Sequence, residues 1–161
     1  MATVRIRPAA EADVPLVASL IRELAEYERL KDEVTMTEER LRVALFGERP
    51  YAEVAIAEDA SGVPLGFALF FHNFSTFLGQ PGIYLEDLFV RPSHRGAGVG
   101  RALLEHLARL AGERGCGRLE WAVLDWNEPA IGFYRRLGAR PQDDWTVFRL
   151  SGEALARLAA G

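Results

Sequence analysis

The stretch Tyr84-Leu-Glu-Asp-Leu-Phe-Val-Arg-Pro-Ser-His-Arg-Gly-Ala-Gly-Val-Gly-Arg101 decides how this chain is read. Its first part belongs to an apolar, β-leaning run from Ile83 to Val90, and Pro92 closes it, which predicts a strand ending in a turn. Gly96, Gly98 and Gly100 follow, and then Leu103, Leu104, Leu107 and Leu110 recur at helical spacing. A glycine turn of this kind exposes backbone N–H groups, and the helix behind it adds its positive end. Residues Arg95, Gly96, Ala97, Gly98, Val99, Gly100 and Arg101 therefore suit a phosphate or pyrophosphate. Two familiar phosphate loops fail the test. A Walker loop needs Lys-Ser/Thr where Arg101-Ala102 stands, and a dinucleotide fingerprint needs a glycine at Arg101. A plain helix-capping turn is the alternative that the loop alone leaves open.

Within the strand, Glu86 and Asp87 are adjacent carboxylates in apolar company, which is costly to bury. Strict alternation puts them on opposite faces. A bulge would re-aim one of them and turn a backbone N–H toward a ligand; the alternative is an edge strand with a solvated carboxylate. A third segment, Asp125-Trp-Asn-Glu-Pro-Ala-Ile-Gly-Phe-Tyr134, lets Asn127 cap a helix and puts Tyr134 two turns later on the same stripe. The alternative for Tyr134 is a buried ring with a satisfied hydroxyl.

Outward from these segments, Val4 to Arg7 reads as a strand ended by Pro8. Asp13 is placed to cap a helix carrying Leu16, Val17, Leu20, Ile21 and Leu24, with Pro15 in its first turn. Thr37 starts a second helix, with Leu41 and Leu45, that Gly47 stops. Ala52 to Ala57 and Leu65 to Phe71 read as an antiparallel pair across the turn residues 59–64. Arg118 to Leu124 reads as a strand, Asn127 to Leu137 as a helix, and Thr146 to Leu150 as a last strand before a terminal helix. The aromatic run Phe67, Phe70, Phe71, Phe74 and Phe77 reads as core and sheet face. The expected architecture is α/β, one mixed sheet in a single domain over residues 1–161.

Composition narrows the function classes. Nineteen basic residues against twenty-three acidic give a net charge of −4, with no basic patch for nucleic acid. Eighteen of the basic residues are arginine, and Lys31 is the one lysine. No apolar run is long enough to span a membrane, and the N-terminal residues lack the pattern of a secretory signal; a cytoplasmic protein is expected. His72, His94 and His106 show no metal-ligand spacing. Cys116, the single cysteine, has no evident histidine partner and no claim as a nucleophile.

Taken together, these segments resemble the GCN5-related N-acetyltransferase (GNAT) superfamily, whose pyrophosphate loop Arg/Gln-x-x-Gly-x-Gly/Ala matches Arg95, Gly98 and Gly100. Ile6-Arg-Pro-Ala9, Glu23-Leu-Ala-Glu-Tyr-Glu28, Tyr84-Leu-Glu-Asp87 and Trp126-Asn-Glu-Pro129 with Phe133-Tyr134 are similar to its spermidine/spermine and thialysine N-acetyltransferase group. The resemblance implies a mostly antiparallel sheet flanked by helices, a homodimer, acetyl-CoA as cosubstrate and no metal. It puts acetyl-CoA contacts at Leu88, Phe89 and Val90, at Arg95 to Arg101, and at Asn127, Glu128, Pro129 and Ala130. Amine contacts fall on Tyr27, Glu28, Glu86, Asp87, Glu120, Trp121 and Ala122, with a further acidic contact at Asp143 or Asp144. Tyr134 is implied as general acid, and Glu86 is the expected proton acceptor. The reaction the resemblance implies is direct transfer of the acetyl group to a primary amine of a small cationic substrate, a polyamine or a thialysine- or lysine-like amino acid. Other amines (a protein N-terminus, a lysine or an aminoglycoside) and a non-catalytic acyl-CoA-binding module are the competing readings.

Overall fold

Helix α1 (Val14–Tyr27) buries Val14, Val17, Ala18, Leu20, Leu24 and Ala25, the positions that three- and four-residue spacing aligns on one face. Against that face lie Leu41 and Leu45 of α2 (Glu38–Phe46), Val54 and Ile56 of β2 (Glu53–Glu58), Phe67 of β3 (Pro64–Ser75) and Phe89 of β4 (Gln80–Val90). The computed structural model describes residues 3–161. With β1 (Arg5–Pro8) and β5 (Leu119–Trp121), these strands form one five-stranded sheet in the order β1-β2-β3-β4-β5. Its first four strands run antiparallel, and β5 runs parallel to β4. Helix α3 (Val99–Glu113) buries Val99, Leu103, Leu104, Leu107 and Ala111. Strands alternate faces, so β2 buries Ala55 and Ala57 as well as Val54 and Ile56, and helices on both sides of the sheet explain its apolar run.

The chain divides into two compact units, one reaching Ala122 and the other running from Val123 to Gly161. The sheet and α1–α3 make the first; α4 (Glu128–Arg136) and α5 (Gly152–Ala160) belong to the second. Among the described residues no helix is long and apolar enough to cross a membrane.

Local chemistry sets the boundaries. The Thr37 hydroxyl accepts the Arg40 N–H at 3.2 Å and opens α2. Asp59 accepts the N–H groups of Ser61 and Val63 at 2.8 and 2.9 Å and closes the β2–β3 turn. Asp13 behaves differently from expectation. It stands at the N-cap of α1 but does not cap it; its carboxylate takes the Ala10 N–H at 2.7 Å and two bonds from Arg7. A charged bidentate partner outbids a helix N–H.

Three further expectations are corrected. Residues 146–150 form no strand, and Val147 and Phe148 lie exposed; strand-prone residues become a strand only beside an edge that takes their backbone bonds. Strand β5 stops at Trp121, because its parallel ladder with β4 covers only Ile83–Leu85 opposite Leu119–Trp121. The β3–β4 hairpin runs on to Ser75 and Gln80, which puts Phe74 and Phe77 at an exposed tip rather than in the core.

Candidate active site

Strand β4 carries a bulge. Leu69 pairs with Asp87 and Phe70 with Leu85, so Glu86 is the extra residue opposite one bond of β3. Of the two readings the sequence left open, the bulge is present; Glu86 on it is exposed, while Asp87 is half-buried. Burial, then the charges of Glu86 and Glu28, push the Asp87 carboxyl up to about 7. Burial also raises Glu28, the residue that ends α1. The Tyr84 phenol is raised by burial, by Glu86 and by Glu120. Glu120, opposite Tyr84 on β5, accepts the Asn73 side-chain amide at 3.2 Å. Glu28, Glu86, Asp87 and Glu120 thus gather negative charge around one stretch of β4, a setting that favours a cation. Trp121 closes β5, and Ala122, just beyond it, is exposed.

Beyond Leu85 the β5 ladder has ended, and among the described residues no strand pairs with β4 on that side. The Arg91 N–H bonds the Leu65 carbonyl at 2.8 Å, which identifies Leu65–Arg91 as a hydrogen-bonded pair. Antiparallel alternation then makes Phe67–Phe89 and Leu69–Asp87 bonded pairs, and turns the backbone groups of Leu88 and Val90 away from β3. The Val90 carbonyl confirms the direction, since it receives the Arg95 Nε–H at 3.0 Å. The Leu88 N–H therefore faces the side where β5 has stopped, one residue from the acidic pair.

The glycine loop continues directly from this strand. Gly96 and Gly98 have φ of 81° and 83°, a conformation that penalises any side chain. A Cβ at either position would meet nothing within 4 Å, so the space above the loop is open. Gly98 is the N-cap of α3 and supplies no side-chain bond to it. The first N–H groups of a fifteen-residue helix face outward there, as an anion site requires. Arg101 pairs with Glu105 at 2.8 Å. Arg95 turns back, with its guanidinium 4.3 Å from the Tyr27 ring centroid.

In the second unit, Asn127 is buried, caps α4 by accepting the Ala130 N–H at 3.4 Å, and is followed by Glu128 and Pro129 in the first turn. Tyr134 is half-buried on α4, with its ring 5.6 Å from that of Phe133. Asp143 and Asp144 are exposed on an irregular segment.

Two features escaped the sequence. Cys116 does have a histidine neighbour: its Sγ lies 3.8 Å from Nδ1 of His72. That nitrogen also meets the Gly82 carbonyl at 3.0 Å, while Nε2 meets Arg114 at 2.9 Å. The Gly82 carbonyl and Arg114 thus occupy both ring nitrogens, which leaves none free for the thiol. The second feature is Asp87 as the carboxyl most displaced from its ordinary value. The adjacent acidic pair pointed to the place, but burial and the approach of Glu28 are long-range facts. No group of three His, Cys, Asp or Glu residues suited to a metal occurs among the described residues.

Comparison with known proteins agrees with this construction. The Acetyltransferase (GNAT) family model matches residues 17–139. The chain is 43% identical to the thialysine N-epsilon-acetyltransferase of Bos taurus, over 99% of each chain. It is 34% identical to the L-ornithine N5-acetyltransferase NATA1 of Arabidopsis thaliana, over 96% of this chain and 87% of that one. Among solved structures, an integron cassette protein from the mobile metagenome of V. cholerae superposes with a TM-score of 0.82 at 31% identity, covering 98% of both chains. With a five-stranded, mostly antiparallel sheet, a glycine loop at the head of α3 and relatives that match end to end, the chain belongs to the GNAT family and is an amine N-acetyltransferase.

Proposed function

We propose that the protein moves the acetyl group of acetyl-CoA to the side-chain amine of a small cationic substrate, a thialysine- or lysine-like amino acid, by direct attack. The bulge on β4 is the observation that carries this reading: it sets Glu86 and Asp87 beside a free strand edge that leads straight into the glycine loop. The names of the bovine and Arabidopsis relatives, thialysine and ornithine acetyltransferases, support an amino acid acceptor over a polyamine.

The residues fit acetyl-CoA as substrate. The loop from Arg95 to Arg101 and the start of α3 would hold its diphosphate, with Leu88, Phe89, Val90 and Asn127 to Ala130 along the rest of the molecule. A lysine-like ammonium has a pKa near about 10.4 and must lose a proton before it attacks. Glu28, Asp87 and Glu120 hold the cation, with Tyr27, Trp121 and Ala122 beside them, and Glu86 takes the proton directly or through a water. The amine nitrogen then attacks the thioester carbon. The Leu88 N–H stabilises the oxyanion. As the C–S bond breaks, the nitrogen gives up its second proton to solvent and Tyr134 protonates the leaving thiolate, to regain its own proton from solvent afterwards. This reading takes residues 1–161 as a single N-acetyltransferase domain, as the match to the bovine relative over 99% of the chain supports. It also makes the enzyme a homodimer, supported by the exposed Trp145, Val147 and Phe148.

The test is CoA release against a panel of thialysine, lysine, ornithine, spermidine, putrescine and an aminoglycoside. The expected result is the highest kcat/KM with one of the three amino acids. Turnover of spermidine or the aminoglycoside alone would overturn the substrate assignment, and binding of acetyl-CoA without any turnover would make the protein a non-catalytic module.

A further inference from the structure

The Tyr27–Arg95 contact joins two features that the sequence keeps 68 positions apart, the end of α1 and the root of the glycine loop. The Arg95 guanidinium is pinned from three directions. Its Nε–H bonds the Val90 carbonyl, its carbon sits 4.3 Å from the Tyr27 ring centroid, and the Phe89 ring lies 5.8 Å away. The Tyr27 distance falls well inside the range of a cation–π contact. Tyr27 itself is fixed by packing on the core cluster. Helix α1 is tied to the end of β4 by a second link, since Arg91 grips Glu23 with two bonds at 3.0 and 3.1 Å. Arginine is an entropically expensive anion ligand because its long side chain must be immobilised. Here that ordering precedes the ligand: Nε and the guanidinium face are committed to the protein, and Arg95 leads directly into Gly96 and the open backbone of the loop.

We propose that Tyr27 is a positioning residue for the diphosphate loop: its ring holds the Arg95 fork in place for the anion. The affinity for CoA then depends on a residue of α1 that lies outside the loop. The proposal rests on the reading of that loop as the diphosphate site. It gives Tyr27 a role on the cofactor side, separate from any contact with the amine.

The experiment is a double-substitution cycle on the full-length protein, with the Kd of CoA measured by calorimetry in the absence of amine. Tyr27→Leu keeps apolar volume but removes the ring face, and should weaken CoA binding by about threefold to thirtyfold, the span of a cation–π contact. Tyr27→Phe keeps the face and should stay within about twofold of the parent. In an Arg95→Gln background, Tyr27→Leu should cost nothing more, because the group it seats is gone; a role in packing alone would persist there. If Tyr27→Leu fails to fold, Tyr27→Met takes its place in the cycle. An unchanged Kd in Tyr27→Leu, or a loss of the same size in both backgrounds, overturns the proposal. Gly98→Asp separates the two readings. If it abolishes CoA binding while Tyr27→Leu does nothing, the loop assignment stands and the Tyr27 role falls; if it too leaves the Kd unchanged, both fall.

Discussion

Tyr134 separates an enzyme from a binder at the scale of one atom. Tyr134→Phe keeps the ring and its contact with Phe133 but removes the proton. General acid catalysis is worth about 10²- to 10⁴-fold, so kcat should fall within that range while the KM for acetyl-CoA stays nearly constant. Full turnover with a lowered Tm would leave the Tyr134 hydroxyl a structural role only. Asp87 makes a second residue-level claim. Its carboxyl is raised from the ordinary 3.8 to about 7 by burial and by Glu86 and Glu28. An acid whose folded value exceeds its unfolded one binds its proton more tightly when folded. The contribution of Asp87 to stability is therefore most favourable below about pH 4 and declines as the pH rises to about 7. Asp87→Asn should gain Tm relative to the parent between pH 5 and pH 8, while the rise of kcat/KM for the amine across pH 7 is lost. A Tm difference that does not change with pH would contradict the assignment.

At the scale of elements, the proposed working unit is β4 and the loop into α3. Gly100→Asp would put a negative charge in the first turn of α3, where the diphosphate is proposed to bind, and should weaken acetyl-CoA binding at least about tenfold by calorimetry, the scale of one lost charged contact. An unchanged Kd in a folded variant counts against the loop. This region was largely legible in the sequence, because its signals are local. Pro92 ends the strand, left-handed glycines mark the turn, and the leucines of α3 follow a 3.6-residue period. The adjacent acids Glu86 and Asp87 left a bulge and an edge strand with a solvated carboxylate both open, and the register shows the bulge. What the sequence could not show lies far apart along the chain. Tyr27 and Arg95, His72 and Cys116, and Glu28 and Asp87 are brought together only by the fold. Residues 146–150 mislead for a related reason: their composition suits a strand, but a strand exists only where a neighbouring edge accepts its bonds.

At the scale of the whole molecule, apolar side chains such as Val147 and Phe148 remain in contact with solvent in a single copy, an arrangement that a twofold assembly of this chain would relieve. Light scattering at micromolar concentration should give a mass near twice 17.9 kDa; a value near one copy would rule the dimer out. The central claim is direct transfer from acetyl-CoA to a bound amine, which requires both substrates on the enzyme together. The most direct test is the initial rate of CoA release over a grid of acetyl-CoA and thialysine concentrations. Turnover with intersecting double-reciprocal lines is the predicted result, and parallel lines with an acetylated form of the protein in its mass spectrum would contradict it.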